Sequence, residues 1–275
     1  MSDTSHPVSV DSVHVRYGSL EVLRGVTFDI QAAQGVVLLG ANGSGKSTLM
    51  RTLNGLSRAQ SGQIRIGGEA VTTARGAHLR GIRRRMGYVF QQFNLVAQLT
   101  TFQNVLMGVL GQRRFGLINC VGGFASATDR EQAMACLERV GLADRAGHRP
   151  AELSGGQQQR VAIARMLMQS PEVVIADEPI ASLDPRGGRE VLELLWEIVR
   201  ERNLAMLCTL HQLELATDYA DRIIGLKDGV VALDEATTDV SEARLGELYN
   251  RADDTPVEPA RQPVGTRDMP ETMTS

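Results

Sequence analysis

Gly40-Ala41-Asn42-Gly43-Ser44-Gly45-Lys46-Ser47-Thr48 fits G-x-x-x-x-G-K-[ST], the pattern of a phosphate-binding loop. Before it, Val36-Val37-Leu38-Leu39 is an apolar run that reads as a buried strand, and after it Thr48 to Leu56 reads as a helix. Strand, glycine-rich loop and helix are the context this motif requires. Gly40, Gly43 and Gly45 let the backbone turn tightly, so that N–H groups of the whole loop aim at phosphate oxygens. The helix start adds its partial positive charge. In this pattern Lys46 reaches the β/γ-phosphates and the Ser47 hydroxyl ligates Mg²⁺. The loop therefore predicts a nucleotide, and leaves open what its hydrolysis drives.

The chain has 275 residues, enough for one large α/β domain or a domain with an inserted subdomain. Hydrophobic residues make up 43% and charged residues 22%, and the net charge is −3, which argues against a polycationic nucleic-acid binder. No apolar run approaches the roughly 20 residues that span a bilayer. Met1 to Pro7 is polar, so no leader is expected there and residues 1–7 read as a flexible start. Cys120, Cys136 and Cys208 are too widely spaced for a C-x-x-C pair and read as small buried hydrophobes of a reducing compartment.

Val8 to Tyr17 and Val22 to Ile30 alternate apolar and polar residues around a turn at Tyr17-Gly18, which predicts an antiparallel sheet ahead of the loop. The Tyr17 ring has two readings there, a stacking platform for a base or a strand-end packing residue. Ser61 to Gly68 reads as a short strand, and Leu79 to Arg85, with its four arginines, as a solvated helix face. From about residue 92 to 165 the pattern turns helical, over Asn104–Leu110, Asp129–Val140 and Gln157–Met168. An irregular Gly111–Thr128 stretch interrupts it, and the block reads as an α-helical insertion. Beyond it, strands and helices alternate: Pro171–Ala176, Arg189–Arg202, Ala205–Leu210, a helix to Asp218, Arg222–Leu226 and Val230–Leu233. Such alternation predicts a parallel sheet. The Pro-, Thr- and acid-rich residues 251–275 read as a disordered tail.

Ligands of open α/β sheets lie beyond the carboxyl ends of strands. Four places meet that rule: the loop after Leu39, Gln91 after Phe90, Asp177-Glu178 after Ala176, and His211 after Leu210. Asp177 suits the Mg²⁺ shell, which Gln91 and Ser47 can complete, while Glu178 is placed to polarise an attacking water. Leu153-Ser154-Gly155-Gly156-Gln157 opens a second helix with a serine cap and two glycines, a second anion-binding end in one chain.

Taken in order, Gly40–Thr48, Gln91, Ser154–Gln157, Asp177-Glu178, Ser182-Leu183-Asp184 and His211 resemble the motif set of ABC transporter ATPase subunits, over roughly residues 8–250. The resemblance implies a P-loop NTPase fold with an N-terminal antiparallel β subdomain and an inserted helical subdomain. It implies a head-to-tail dimer, most simply of identical chains, with two Mg²⁺-bound ATP molecules between subunits. Ser154, Gly155, Gly156 and Gln157 would bind the γ-phosphate across the interface, Tyr17 would stack on adenine, and Asp184 would sit at the dimer contact. His211 would touch the γ-phosphate. The helical block with Gln91 would grip transmembrane permease subunits at the cytoplasmic face of the inner membrane, served by a solute-binding protein.

Phe90–Val96, Asp177–Pro185 and Thr209-Leu210-His211-Gln212 look most like the phosphonate importer branch of that family. The alternatives are another solute (amino acid import, or lipoprotein or peptide export) and a soluble, non-transport member. The single cassette, the lack of heptads and the negative charge weigh against the last.

Overall fold

A computed structural model describes residues 6–112 and 125–249. The alternating N-terminal segments form β1 (Val8–Tyr17) and β2 (Leu20–Ile30), antiparallel as expected. The apolar run before the loop is β3 (Gly35–Leu39), followed by α1 (Lys46–Leu53), β4 (Ser61–Ile66), β5 (Glu69–Ala70), α2 (Gly76–Arg84) and β6 (Met86–Val89). The helical block holds α3 (Thr101–Leu106), α4 (Ala127–Arg139) and α5 (Gly155–Met168). The chain closes with β7 (Val173–Asp177), α6 (Pro185–Glu201), β8 (Ala205–Thr209), α7 (Leu213–Tyr219), β9 (Arg222–Lys227), β10 (Val230–Ala236) and α8 (Glu242–Glu247).

Two sheets result. A four-stranded antiparallel sheet runs β2-β1-β4-β5, and a six-stranded sheet runs β10-β9-β3-β8-β7-β6. All pairings in the larger sheet are parallel except β10 on β9. That exception departs from the parallel expectation, because the tight turn at Lys227–Val230, with Asp228 and Gly229 both at positive φ, reverses the chain.

The unbroken apolar strands reflect burial on both faces. Val36 and Leu38 face a core shared with α1 and the antiparallel sheet, while Val37 and Leu39 face a second core with α3 to α6. Each such fully buried side chain contributes roughly 1.5–3 kcal/mol relative to exposure. α5 packs on α3 and α4, which makes the helical block a unit beside the β6 edge.

Local chemistry sets the boundaries. α1 begins at Lys46, two residues before the expected start, because Gly45 at φ 110° makes the turn. The helix stops at Leu53, where Asn54 and Gly55 (φ 65°) break it. The segment expected as one helix over Asn104–Leu110 is α3 followed by a 3₁₀ turn, Met107–Gln112. The Leu79–Arg85 arginines are not one solvated face: Arg83 donates to Asn54 O and Arg85 forms a two-pronged pair with Glu172. His6 pairs with Asp29, and Pro7 O accepts from Gly67 N. Residues 1–5, residues 113–124 with Cys120, and the expected tail from residue 251 lie outside the described residues. Among those described, no helix is long and apolar enough to cross a membrane.

Candidate functional site

Strand order settles which motifs meet. β3, β8, β7 and β6 are adjacent and parallel, so the phosphate loop, His211, Asp177-Glu178 and Gln91 share one edge, beyond four carboxyl ends. The sequence separations, up to about 170 residues between Gly40 and His211, collapse into one strip.

The loop is built to receive an anion. At Gly40 a Cβ would fall 2.2 Å from Leu226 O, so the main chain runs where no side chain fits. α1 has no side-chain cap and no acid in its first turn, which leaves its N–H groups available. Ser44 Oγ is buried without a partner among the described residues. Lys46 is buried, and its Nζ donates to Gly40 O at 2.6 Å and Ala41 O at 3.1 Å. Burial pulls its ammonium below the ordinary value, while the charges of Glu178 and Asp177 push the other way. Ser47 is exposed on the same turn, Thr48 half-buried, and Asn42 and Gly43 exposed. A cradle without side chains, an orphan hydroxyl and a buried ammonium fit a polyphosphate. The oxygen donors Ser47, Asp177 and Gln91 suit a hard cation such as Mg²⁺.

Beside the loop, Asp177 ends β7. Its Oδ1 accepts from Thr209 Oγ1 at 3.0 Å, and the Tyr88 hydroxyl approaches Oδ2 at 3.5 Å. Burial, then the Asp177 charge, pushes the Tyr88 phenol well above its ordinary value. Glu178 leaves the strand at φ 48°, a conformation costly for a residue with a Cβ. The chain thus leaves the strand immediately after Asp177, and both carboxylates remain near enough to act on the Lys46 ammonium. Glu178 Oε1 lies 2.5 Å from His211 Nε2. A carboxylate only accepts, so the imidazole N–H donates.

The second glycine-rich helix start is also formed. Ser154 caps α5, its Oγ accepting from Gln157 N at 3.3 Å while Gln157 Oε1 accepts from Ser154 N at 2.9 Å. Around Gly155 the nearest side chains are Leu183 and Phe93, so this turn abuts Ser182-Leu183 rather than its own chain's loop. Asp184 caps α6 through Gly187 N at 3.0 Å. Tyr17 is half-exposed at the hairpin end, its hydroxyl 2.9 Å from Ser57 Oγ. The following strand reaches the loop, since Val22 O lies 3.2 Å from the Cβ position of Gly45. Gln91 is exposed beyond β6.

Two residues escaped the sequence reading. Thr209 touches both acids, since Glu178 N donates to its Oγ1 at 2.8 Å. It is the one hydroxyl in the apolar strand β8, two residues before His211, and that was its available signal. Gln159 is fully buried, its Nε2 donating to Phe90 O at 3.2 Å and Pro179 O at 2.6 Å. It thereby joins α5 to the segments that follow β6 and β7. In the glutamine run Gln157–Gln159 nothing marked it as the buried one.

A cavity of about 530 Å³ opens between α2, β6 and the helical block, lined by Arg80, Arg84, Tyr88, Phe90, Met107 and Arg165. Tyr88 and Phe90 stack there with ring centroids 4.1 Å apart.

An ABC transporter family profile matches residues 23–181. The phosphonates import ATP-binding protein PhnC of Frankia casuarinae is 49% identical over 245 residues, covering 89% of this chain and 96% of that protein. The phosphate-import ATP-binding protein PhnC of Mycolicibacterium smegmatis is 45% identical, covering 94% and 98%. Among solved structures, the dimeric post-hydrolysis ATP-binding cassette MJ0796 bound to ADP and Pi is 34% identical, with TM-score 0.69 over 84% of this chain and 98% of that one. The chain belongs to the ABC transporter family. Its two sheets and helical block are the fold of that family's ATP-binding cassette.

Proposed function

We propose that this chain hydrolyses ATP to drive import of phosphonate, or a closely related phosphorus-containing anion, through separate permease subunits. The observation that carries the ATPase reading is the gathering of Lys46, Asp177, Glu178 and His211 at adjacent strand ends. The solute class rests on the names of the relatives. One of them is a phosphate importer, which keeps phosphate as the second reading.

In this reading Lys46 leaves the carbonyls of Gly40 and Ala41 for the β/γ-phosphates, and the main chain of Gly40–Thr48 wraps them. Tyr17 stacks on the adenine. Ser47, Asp177 and Gln91 would hold Mg²⁺, which would supply positive charge against that of the phosphates. Glu178 accepts the proton of the attacking water, its carboxylate held beside His211 rather than in the bond that Thr209 makes to Asp177. His211 holds that carboxylate now, and its Nε2–H turns to a γ-phosphate oxygen once the carboxylate takes up the water. Ser154 to Gln157 of a second copy complete the site, with Asp184 nearby. ATP binding then closes the dimer and hydrolysis reopens it.

The cavity beside β6 receives a permease segment, its stacked rings supplying apolar contact and Arg80 and Arg84 favouring an acidic partner. The chain works peripherally at the cytoplasmic membrane face, with a solute-binding protein acting indirectly.

Deletion of the gene in its host tests the solute. Loss of growth on methylphosphonate as the phosphorus source, with growth on phosphate retained, is the expected result. Loss on phosphate alone favours the second reading, and unaffected growth on both overturns import of either. Size-exclusion chromatography tests the trans site. Mg·ATP should dimerise a Glu178→Gln protein and fail to dimerise one that also carries Ser154→Arg; dimers in both would remove Ser154 from the interface.

A further inference from the structure

We propose that Thr209 is the positioning residue of the hydrolytic site, one hydroxyl that sets both the Asp177 carboxylate and the Glu178 main chain. This deepens the ATPase reading and rests on its roles for the two acids.

Thr209 ends β8 and is the direct register partner of Asp177 at the end of β7. Its side chain is 1% exposed, so its hydroxyl is cut off from water. A buried hydroxyl costs stability unless its donor and acceptor capacities are both used. Here both are. Oγ1 donates to Asp177 Oδ1 at 3.0 Å and accepts from Glu178 N at 2.8 Å. The two bonds act on consecutive residues that must point different ways.

The bond to Asp177 holds Oδ1 against β8, while the Tyr88 hydroxyl approaches Oδ2 at 3.5 Å, so the carboxylate is set between the two neighbouring strands. The bond to Glu178 N holds the peptide where the chain enters φ 48°. That conformation is strained for glutamate and persists only when the surroundings enforce it. With it, Glu178 Oε1 comes within 2.5 Å of His211 Nε2. Without it, the strand can continue in extended form and swing the carboxylate off the water position. Sheet packing alone would be met by valine, which has the same shape and no hydroxyl. The two bonds specify threonine or serine.

The test compares Thr209→Val with Thr209→Ser in the full chain. Residues that orient metal-site ligands typically contribute 10- to 100-fold in activity or metal affinity. Thr209→Val should lower kcat by about 10- to 100-fold, with KM for ATP changed by no more than about twofold. The Mg²⁺ concentration at half-maximal binding of a fluorescent ATP analogue should rise about tenfold, a readout that needs no turnover. Thr209→Ser should restore both to near wild type. Wild-type kcat and Mg²⁺ midpoint in Thr209→Val would overturn the proposal, as would a serine variant impaired as badly as the valine one. Should the valine variant not fold by circular dichroism, Thr209→Ala against Thr209→Ser carries the same comparison, and equal turnover in those two overturns it. Failure here is distinct from failure of the underlying roles: an active Glu178→Gln protein would remove the role of Glu178 itself.

Discussion

His211 Nε2 lies 2.5 Å from Glu178 Oε1, so a side chain just past β8 holds the carboxylate just past β7. Glu178→Gln keeps an oxygen that can accept this bond and removes the proton-accepting charge. The variant should fold, bind Mg·ATP as wild type does, and lose turnover by about 10²–10⁴-fold, the range for a general base. His211→Ala frees the carboxylate and removes the N–H that would meet the γ-phosphate, and should lower kcat by about 10²-fold. Phosphate release assays measure both. Unchanged turnover in Glu178→Gln would take that residue out of the chemistry.

Tyr17 separates two roles through its two ends. Its hydroxyl bonds to Ser57, and its ring is half-exposed at the edge of the hairpin that abuts the phosphate loop. If the ring carries adenine, Tyr17→Ala should weaken ATP binding by roughly 1–3 kcal/mol while Tyr17→Phe stays near wild type. Isothermal titration with the full chain distinguishes them. Equal affinity in the alanine variant would return Tyr17 to a packing role.

Much of this site was legible because its residues obey a local rule. Gly40–Thr48 carries its own flanks, and Asp177-Glu178 and His211 each follow an apolar run that had to be a buried strand. The strand order was not legible. Nothing in the chain's local pattern says that β8 inserts between β3 and β7, and that insertion brings Thr209 to Asp177. The antiparallel return of β10 is a different case: the turn at Lys227-Asp228-Gly229 is local and readable, but the alternation of strands and helices around it pointed to parallel pairing. Gln159 shows a further limit. Burial of one glutamine among three depends on which face of α5 meets the segments after β6 and β7, a tertiary fact.

The Leu79–Arg85 arginine run also misled, because Arg85, just past the end of α2, looked solvated and instead links the two sheets. Its guanidinium bonds Glu172 at 2.8 and 2.5 Å, Glu69 at 2.9 Å and Gly67 O at 3.1 Å, joining the β4–β5 turn to the segment that enters β7. Arg85→Met should cost about 1–2 kcal/mol, below the usual value for charged hydrogen bonds because the group is partly solvated. Glu69 adds a pH signature. The His78 bond first, and Arg85 second, hold its carboxyl below the ordinary glutamate value. A depressed native pKa means that the unfolded chain takes up the proton first as pH falls. Its contribution is therefore whole above the unfolded value of about 4.3 and fades as pH drops through the lower native one. Glu69 is largely solvated, so Glu69→Gln should cost only about 0.5 kcal/mol at pH 7. Urea unfolding at pH 7 and at successive values below 4 should show this gap closing. A gap that stays constant across that range would mean the carboxylate charge contributes nothing, and that Arg85 links the two segments through Glu172 and Gly67 O.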